Sequence, residues 1–123
     1  MSMNDLLSDF IARLRNAKLA GKRVTTVRKN KVVLNSTILL TKLGYFNSYK
    51  DNDHEIEVEL NLDKIHGLKR ISKPGRRLFY SYQNLPVIKD GVGFNVLSTS
   101  KGLKTNIDAK KEMVGGELIF QIW

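Results

Sequence analysis

Ser98-Thr99-Ser100-Lys101-Gly102 directly follows the apolar run Phe94 to Leu97, and Gly115-Gly116-Glu117 then leads into a second apolar stretch ending at Trp123. The two runs read as strands, so this end of the chain is β-rich. Between them, three consecutive hydroxyls, a lysine and a glycine make a compact polar loop. Such a loop offers hydroxyls, backbone N–H groups and one positive charge to a polar ligand at close range. One Ser or Thr in a turn is explained by bonds to its own backbone. Three in a row beside Lys-Gly favour an external partner, because hydroxyls donate to phosphate and 2′-OH groups and serve as acceptors too.

The charge of the chain points to the same kind of ligand. Its 123 residues suit one domain or two small lobes, and 41% apolar residues suffice for a core. Lys and Arg number 21 against 12 acids, a formal net charge of +9. A surplus of that size on a small protein attracts polyanions. It is unevenly spread: residues 1–50 carry +8, residues 51–62 carry −5 and residues 63–123 carry +6. The acidic segment implies a face turned away from the polyanion.

Cysteine is absent, which excludes disulfides and thiolate metal sites. Asp5 and Asp9 interrupt the apolar residues at the start, so no secretory pattern is read there, and no run approaches the roughly 20 apolar residues of a membrane span. The expectation is a soluble, cytosolic protein with no membrane partner.

Upstream of the quoted stretch, Leu6, Phe10, Leu14 and Ala17, supported by Leu7 and Ile11, repeat at helical spacing, with Asn4 as cap and Asp5 in the first turn. Arg13, Arg15, Lys18, Lys22 and Arg23 enrich its later turns, more cations than a helix dipole requires. Val24 to Arg28 reads as a strand. Asn30 caps a second helix bearing Val33, Thr37, Leu40 and Leu43, ended by Gly44. Tyr45 to Leu60 reads as a hairpin turning at Asp51-Asn52-Asp53, its second arm alternating Ile56, Val58 and Leu60 with Glu55, Glu57 and Glu59. Asp63 to Leu68 reads as a connection. Leu68 to Lys73 and Arg76 to Tyr80 read as a hairpin around Pro74-Gly75. Asn106 to Met113 reads as a short helix, and Glu117 to Trp123 as a final strand with Leu118, Phe120 and Ile122 on one side. The expected fold class is α+β: an N-terminal lobe, residues 1–62, of helices on a short sheet, and a β-rich C-terminal lobe, residues 63–123.

Catalytic chemistry finds little support. His54 and His66 are the only histidines, far apart and without ligand-like spacing, so neither a metal site nor a cofactor is expected. Ser98 and Ser100 lack a recognisable base and orienting group, and there is no G-x-S-x-G elbow. Gly91-Val92-Gly93 precedes a strand instead of following one and has Val96 where a dinucleotide fingerprint needs its third glycine. Lys73-Pro74-Gly75-Arg76-Arg77 is a basic turn, readable as a soluble hairpin tip or as a phosphate clamp.

In order and spacing, several motifs match one known family. They are Asp9-x-x-x-Arg13-x-Arg15-Asn16, Arg70-x-Ser72-x-Pro74-Gly75-x-Arg77, Leu85-Pro86, Gly91-x-Gly93, Ser98 to Gly102, Thr105 and Gly115-Gly116-Glu117, along with the start Met1-Ser2-Met3. Over essentially its whole length the chain resembles bacterial ribosomal protein eight of the small subunit. The resemblance implies a non-catalytic, two-lobe cytoplasmic protein of the ribosome that binds the central domain of small-subunit ribosomal RNA and helps its assembly. Neighbouring small-subunit proteins are implied partners. For some members, the implied roles extend to the protein's own messenger RNA and repression of its translation. The free protein is expected to be a monomer.

Carried over to this sequence, the RNA-binding residues implied are Ser98, Thr99, Ser100, Lys101 and Gly102 in the hydroxyl loop, and Gly115, Gly116 and Glu117 beside it. Lys73, Pro74 and Gly75 are implied in the basic turn, and Arg13, Asn16 and Lys31 in the N-terminal lobe. Glu117, an acid near phosphates, is expected to accept from a base amino group or from the loop itself. Departures from the family pattern include Asn4-Asp5 for a common Asp-Pro, Asn106 for a common Asp after Thr105, Met113 where glycine is frequent, and Phe120 for a frequent Cys. The rival readings are a non-ribosomal module, such as a general nucleic-acid chaperone or a translational repressor, which would discriminate poorly between the ribosomal fragment and random duplex RNA, and an enzyme dependent on Ser100 and a histidine.

Overall fold

A computed structural model describes residues 3–88 and 91–123; the Met1-Ser2 start lies outside them. The protein is α+β and divides into two compact units at His66/Gly67. Asp63–His66 belongs to the first unit: Ile65 is buried, and the N–H groups of Lys64 and Ile65 both bond Asn61 O.

In the first unit, α1 (Met3–Ala20), β1 (Val24–Arg28), α2 (Lys31–Lys42), β2 (Phe46–Asp51) and β3 (Glu55–Leu60) form two helices and an antiparallel sheet of order β1-β3-β2. The helix begins before Asn4, so Asn4 is a helical residue and not the cap. The buried stripe of α1 is Leu7, Phe10, Ile11, Leu14 and Ala17. Leu6 is only half-buried, because at 100° per residue Leu7 sits nearer the stripe's centre. Asn30 caps α2 by accepting from Val33 N at 2.8 Å, and Gly44 follows the helix at φ +87°. Ile56, Val58 and Leu60 are fully buried while Glu55 and Glu57 are exposed, as period-two alternation requires. Phe10 meets Phe46 edge-on at 6.5 Å between ring centres. A ring the size of Phe10, fully buried, contributes about 2–3 kcal/mol through removal from water.

The second unit holds β4 (Leu68–Arg70), β5 (Phe79–Tyr80), β6 (Phe94–Thr99), β7 (Gly102–Thr105), α3 (Asn106–Glu112) and β8 (Gly116–Ile122). Its five-stranded sheet runs β4-β8-β6-β7, and β5 also pairs with β8. Two expectations are corrected here. The hairpin expected over 68–80 pairs only at its tip, Lys73 with Arg76. Beyond the tip both arms lie antiparallel on β8, Leu68 across from Ile122 and Phe79 across from Glu117. The chain leaves the β8 edge after Ser72 and rejoins it at Leu78, extruding residues 73–77 as a basic loop. The other correction is that β6 continues through Ser98 and Thr99, so the hydroxyl segment is a strand end and a tight turn. The expected side of β8, Leu118, Phe120 and Ile122, is buried, and Ile119 and Gln121 on its other face are covered as well. Gln121 donates there to Asn95 Oδ1 at 2.8 Å.

Thr105 caps α3, accepting from Asp108 N at 3.2 Å, so Asn106 stands inside the helix and instead accepts from Asn95 N. Met113 ends α3 in the left-handed region, φ 53° and ψ 44°. The core of this end of the sheet gathers Leu97, Ala109 and Leu118.

Candidate nucleic-acid interface

Thr99 pairs with Gly102, which leaves Ser100-Lys101 as a two-residue turn between β6 and β7. Gly102 supplies φ +100°, a left-handed conformation that L side chains rarely adopt. Thr99 Oγ1 donates to Gly102 O at 2.7 Å and accepts from Lys101 N at 3.1 Å. The threonine hydroxyl is therefore consumed by its own turn. Ser98 and Ser100 are exposed, and among the described residues neither has a side-chain hydrogen-bond partner. The hairpin thus presents two hydroxyls and the exposed Lys101 amine to solvent, where three were expected.

The glycine pair shapes the neighbouring strand. A Cβ on Gly116 would collide with Ser98 O, and one on Gly115 with Tyr80 O. Only glycine lets β8 enter between the end of β6 and the end of β5. Gly115, Gly116 and the hydroxyl hairpin are in this way brought together by close backbone approach.

The basic loop closes on itself at both ends. Lys73 and Arg76 exchange backbone bonds of 2.9 and 3.0 Å around Pro74-Gly75. Beneath them the buried Ser72 Oγ accepts from Leu78 N at 2.9 Å and donates to Leu78 O at 3.2 Å. One hydroxyl therefore pinches the loop at its neck, and Lys73 and Arg76 are left exposed.

Glu117 stands between these features. It lies directly across from Ser98 on β6 and from Phe79 on β5. Arg77 donates to both its carboxylate oxygens, Nη2 to Oε1 at 2.9 Å and Nε to Oε2 at 3.1 Å. Within the chain its donor thus comes from the basic loop and not from the hydroxyl hairpin. The Arg77 hydrogen bond holds the Glu117 carboxyl below its ordinary pKa, against the opposing effect of burial.

The first unit carries the other sequence-derived candidates. Arg13 Nε pairs with Asp9 at 2.9 Å, and Arg13 Nη1 reaches Thr26 O at 3.4 Å, which ties α1 to β1. Arg13 and Asn16 line one groove of about 290 Å³ with Lys22 and Thr25. Lys31, exposed at the start of α2, is not part of that groove. Ser72 and Arg77 were visible in the sequence as members of the motif around Pro74-Gly75, but not the partners they meet, Leu78 and Glu117. Thr25 and Phe79 gave no signal, because their places come from strand pairing. Among the described residues no three His, Cys, Asp or Glu side chains gather as metal ligands, and no helix is long and apolar enough to cross a membrane.

These features define a class: small, basic α+β proteins of two units, with an exposed hydroxyl hairpin set beside a glycine-led central strand. Within that class the chain belongs to the Ribosomal protein S8 family, which matches residues 5–123. It is 39% identical to the small ribosomal subunit protein uS8 of Opitutus terrae over 98% of this chain and 100% of that one. It is 37% identical to the uS8 of Rhodopseudomonas palustris (strain BisB18) over the full length of both. With the uS8 of Mesomycoplasma hyopneumoniae (strain 7448) it shares 38% identity over 98% of each chain.

Proposed function

We infer that this chain is a structural, non-catalytic component of the small ribosomal subunit, at work in the cytoplasm, and that it binds the central domain of small-subunit ribosomal RNA. Full-length membership of the Ribosomal protein S8 family carries the reading. The physical chemistry agrees with it. A net charge of +9 supplies phosphate neutralisation with steep salt dependence. The free hydroxyls of Ser98 and Ser100 supply short-range bonds to an RNA minor groove. Lys101, Lys73 and the turn at Pro74-Gly75 lie in the same unit and contact the same RNA. Gly102, Gly115 and Gly116 shape the backbone, while Thr99 and Glu117 hold their neighbours in place. Arg13, Asn16 and Lys31 form a second contact region on the first unit. Neighbouring small-subunit proteins are its further partners, and the free chain is a monomer.

Binding of the chain to a central-domain RNA fragment tests this as salt is raised. The expected result is affinity that falls steeply with salt and discrimination against random duplex RNA. The Ser98→Ala, Ser100→Ala double variant should bind about thirtyfold more weakly, from roughly 1 kcal/mol per lost hydrogen bond. Wild-type affinity in that variant removes the hairpin from the binding site. Absence of the chain from small subunits sedimented from a cell extract overturns the ribosomal role.

A further inference from the structure

Asn95 and Gln121 are buried carboxamides on neighbouring strands, 2% and 9% exposed, beside the wholly buried Val96, Phe120 and Ile122. Gln121 Nε2 donates to Asn95 Oδ1 at 2.8 Å. Asn95 is held from two further sides, its Nδ2 donating to Pro86 O at 3.0 Å and its backbone N–H to Asn106 Oδ1 at 3.1 Å. Just beyond this pair the β6/β8 ladder is irregular. Asn95 faces Gln121 and Val96 faces Phe120, but Leu97 faces Leu118 and Ser98 faces Glu117, so Ile119 has no partner on β6. One extra residue in one strand is a β-bulge. On its other edge, β8 changes partner at the same place. The N–H groups of Ile71 and Ser72 bond the successive carbonyls of Ile119 and Leu118, and Leu118 N bonds Leu78 O. Successive carbonyls of a regular strand point to opposite edges, so it is the bulge that turns both to one edge. The basic loop, residues 73–77, leaves the sheet there.

Apolar packing alone does not fix such a bulge. Straight pairing continued from Ser98 and Glu117 would set Val96 against Ile119 and Asn95 against Phe120, one apolar contact exchanged for another. It would also part the two amides and leave each buried without the other, which is costly. Resting on the RNA-binding reading above, we propose that the Asn95–Gln121 pair pins the bulge in β8 and so positions the basic loop for RNA phosphates. Asn95 is anchored to Pro86 and Asn106, so Gln121 must come to it. The bulge then offers two carbonyls to Ile71 and Ser72. Ser72 closes the neck on Leu78, and Lys73 and Arg76 are presented together. Asn95 and Gln121 touch no RNA in this account; both are positioning residues.

The test measures binding of a central-domain RNA fragment at several salt concentrations for four chains. They are the wild type, Gln121→Met, the Lys73→Ala, Arg76→Ala double variant, and all three substitutions combined. Gln121→Met keeps the side chain's size and removes its donor. It should lower the slope of log affinity against log salt by about 1.5, two phosphate contacts at roughly 0.7–0.9 each. The loop double variant should lose as much, and the combined variant no more, because the pin acts through the loop. Cross-strand proton contacts in the free Gln121→Met chain should show Val96 facing Ile119, with Ser98 still facing Glu117. If Gln121→Met does not fold, Asn95→Leu with Gln121→Met, which leaves no buried amide, is read in the same way. A wild-type slope and a retained Val96–Phe120 contact overturn the pin and leave the RNA reading standing. A further loss of slope in the combined variant overturns the route through the loop. A wild-type chain that does not bind the RNA overturns that reading, and the cross-strand contacts then decide the pin by themselves.

Discussion

Arg77 grips Glu117 across 40 residues of sequence, with an exposed guanidinium on a carboxylate only 8% accessible. The pairing explains an acid in the middle of a basic surface. A nearly buried carboxylate needs a matched donor, and the forked guanidinium supplies two bonds at the geometry the carboxylate prefers. It also fastens the exit of the basic loop to the strand beside the hydroxyl hairpin.

The ion pair gives stability a definite pH dependence. Glu117 has a folded pKa below its ordinary value of 4.5, so its stabilisation is fully present above that value. It is lost as pH falls through the lowered folded value. Glu117→Gln should therefore be less stable than the wild type at pH 7, and the gap should narrow as the pH falls from 4.5 through the lowered folded value. Urea midpoints at pH 7 and pH 3 measure this; an equal gap at both would show that the charge is not responsible.

Ser72 is the neck of the basic loop, and its hydroxyl serves both backbone groups of Leu78. Ser72→Ala leaves the partly buried Leu78 N–H without its acceptor, at a cost of about 1 kcal/mol. The unfolding midpoint should fall accordingly. Amide exchange at Leu78 should accelerate more than exchange in β3 of the other unit.

Gly116→Ala places a methyl against Ser98 O. The backbone must move, as in an overpacked core, at about 1–3 kcal/mol. The expected outcome is lowered stability together with weakened RNA binding, since the displaced atom belongs to the hydroxyl hairpin. A variant that melts and binds as the wild type does would show that β8 has room to spare there.

Met113→Gly should act in the opposite direction. Met113 is exposed and holds φ 53°, a conformation that costs a residue with a Cβ about 1–2 kcal/mol. Glycine removes that strain and gives back part of the gain as extra freedom when unfolded. A rise in stability of about 1 kcal/mol is expected in denaturant titration.

What could be read in the sequence was what depends on near neighbours. The Phe10-Leu14-Ala17 stripe, the Asn30 cap, the Ile56-Val58-Leu60 alternation and the turn at Pro74-Gly75 are each set within a few residues, and each is found. The second unit yielded less, because its organising fact is which strand lies between which. Alternation in β8 marks one buried face, Leu118, Phe120 and Ile122, but gives no sign that Ile119 and Gln121 on the other face are buried too. Residues 68–80 look like a hairpin, but beyond the Lys73/Arg76 tip their partners lie 36 to 54 residues further on, from Tyr80 with Gly116 to Leu68 with Ile122. The same limit applied to the polar end. Three hydroxyls look alike in sequence, and only the two-residue turn shows that Thr99 bonds its own backbone. The glycines at 115 and 116 were visible as residues, but the obstacles that demand them, Ser98 O and Tyr80 O, come from other strands.

The insertion of β8 sets an order of events during synthesis. Strands β4 to β7 leave the ribosome before residue 116 does, and until then they have no central member to join. A nascent chain that has not reached Ile122 has Ser98 but not the whole strand that lies beside it. The first unit, residues 1–66, is made before any strand of the second and can assemble first. The proposed RNA-binding hairpin therefore gains its neighbouring strand last, a delay that would keep an unfinished chain from early capture by a polyanion.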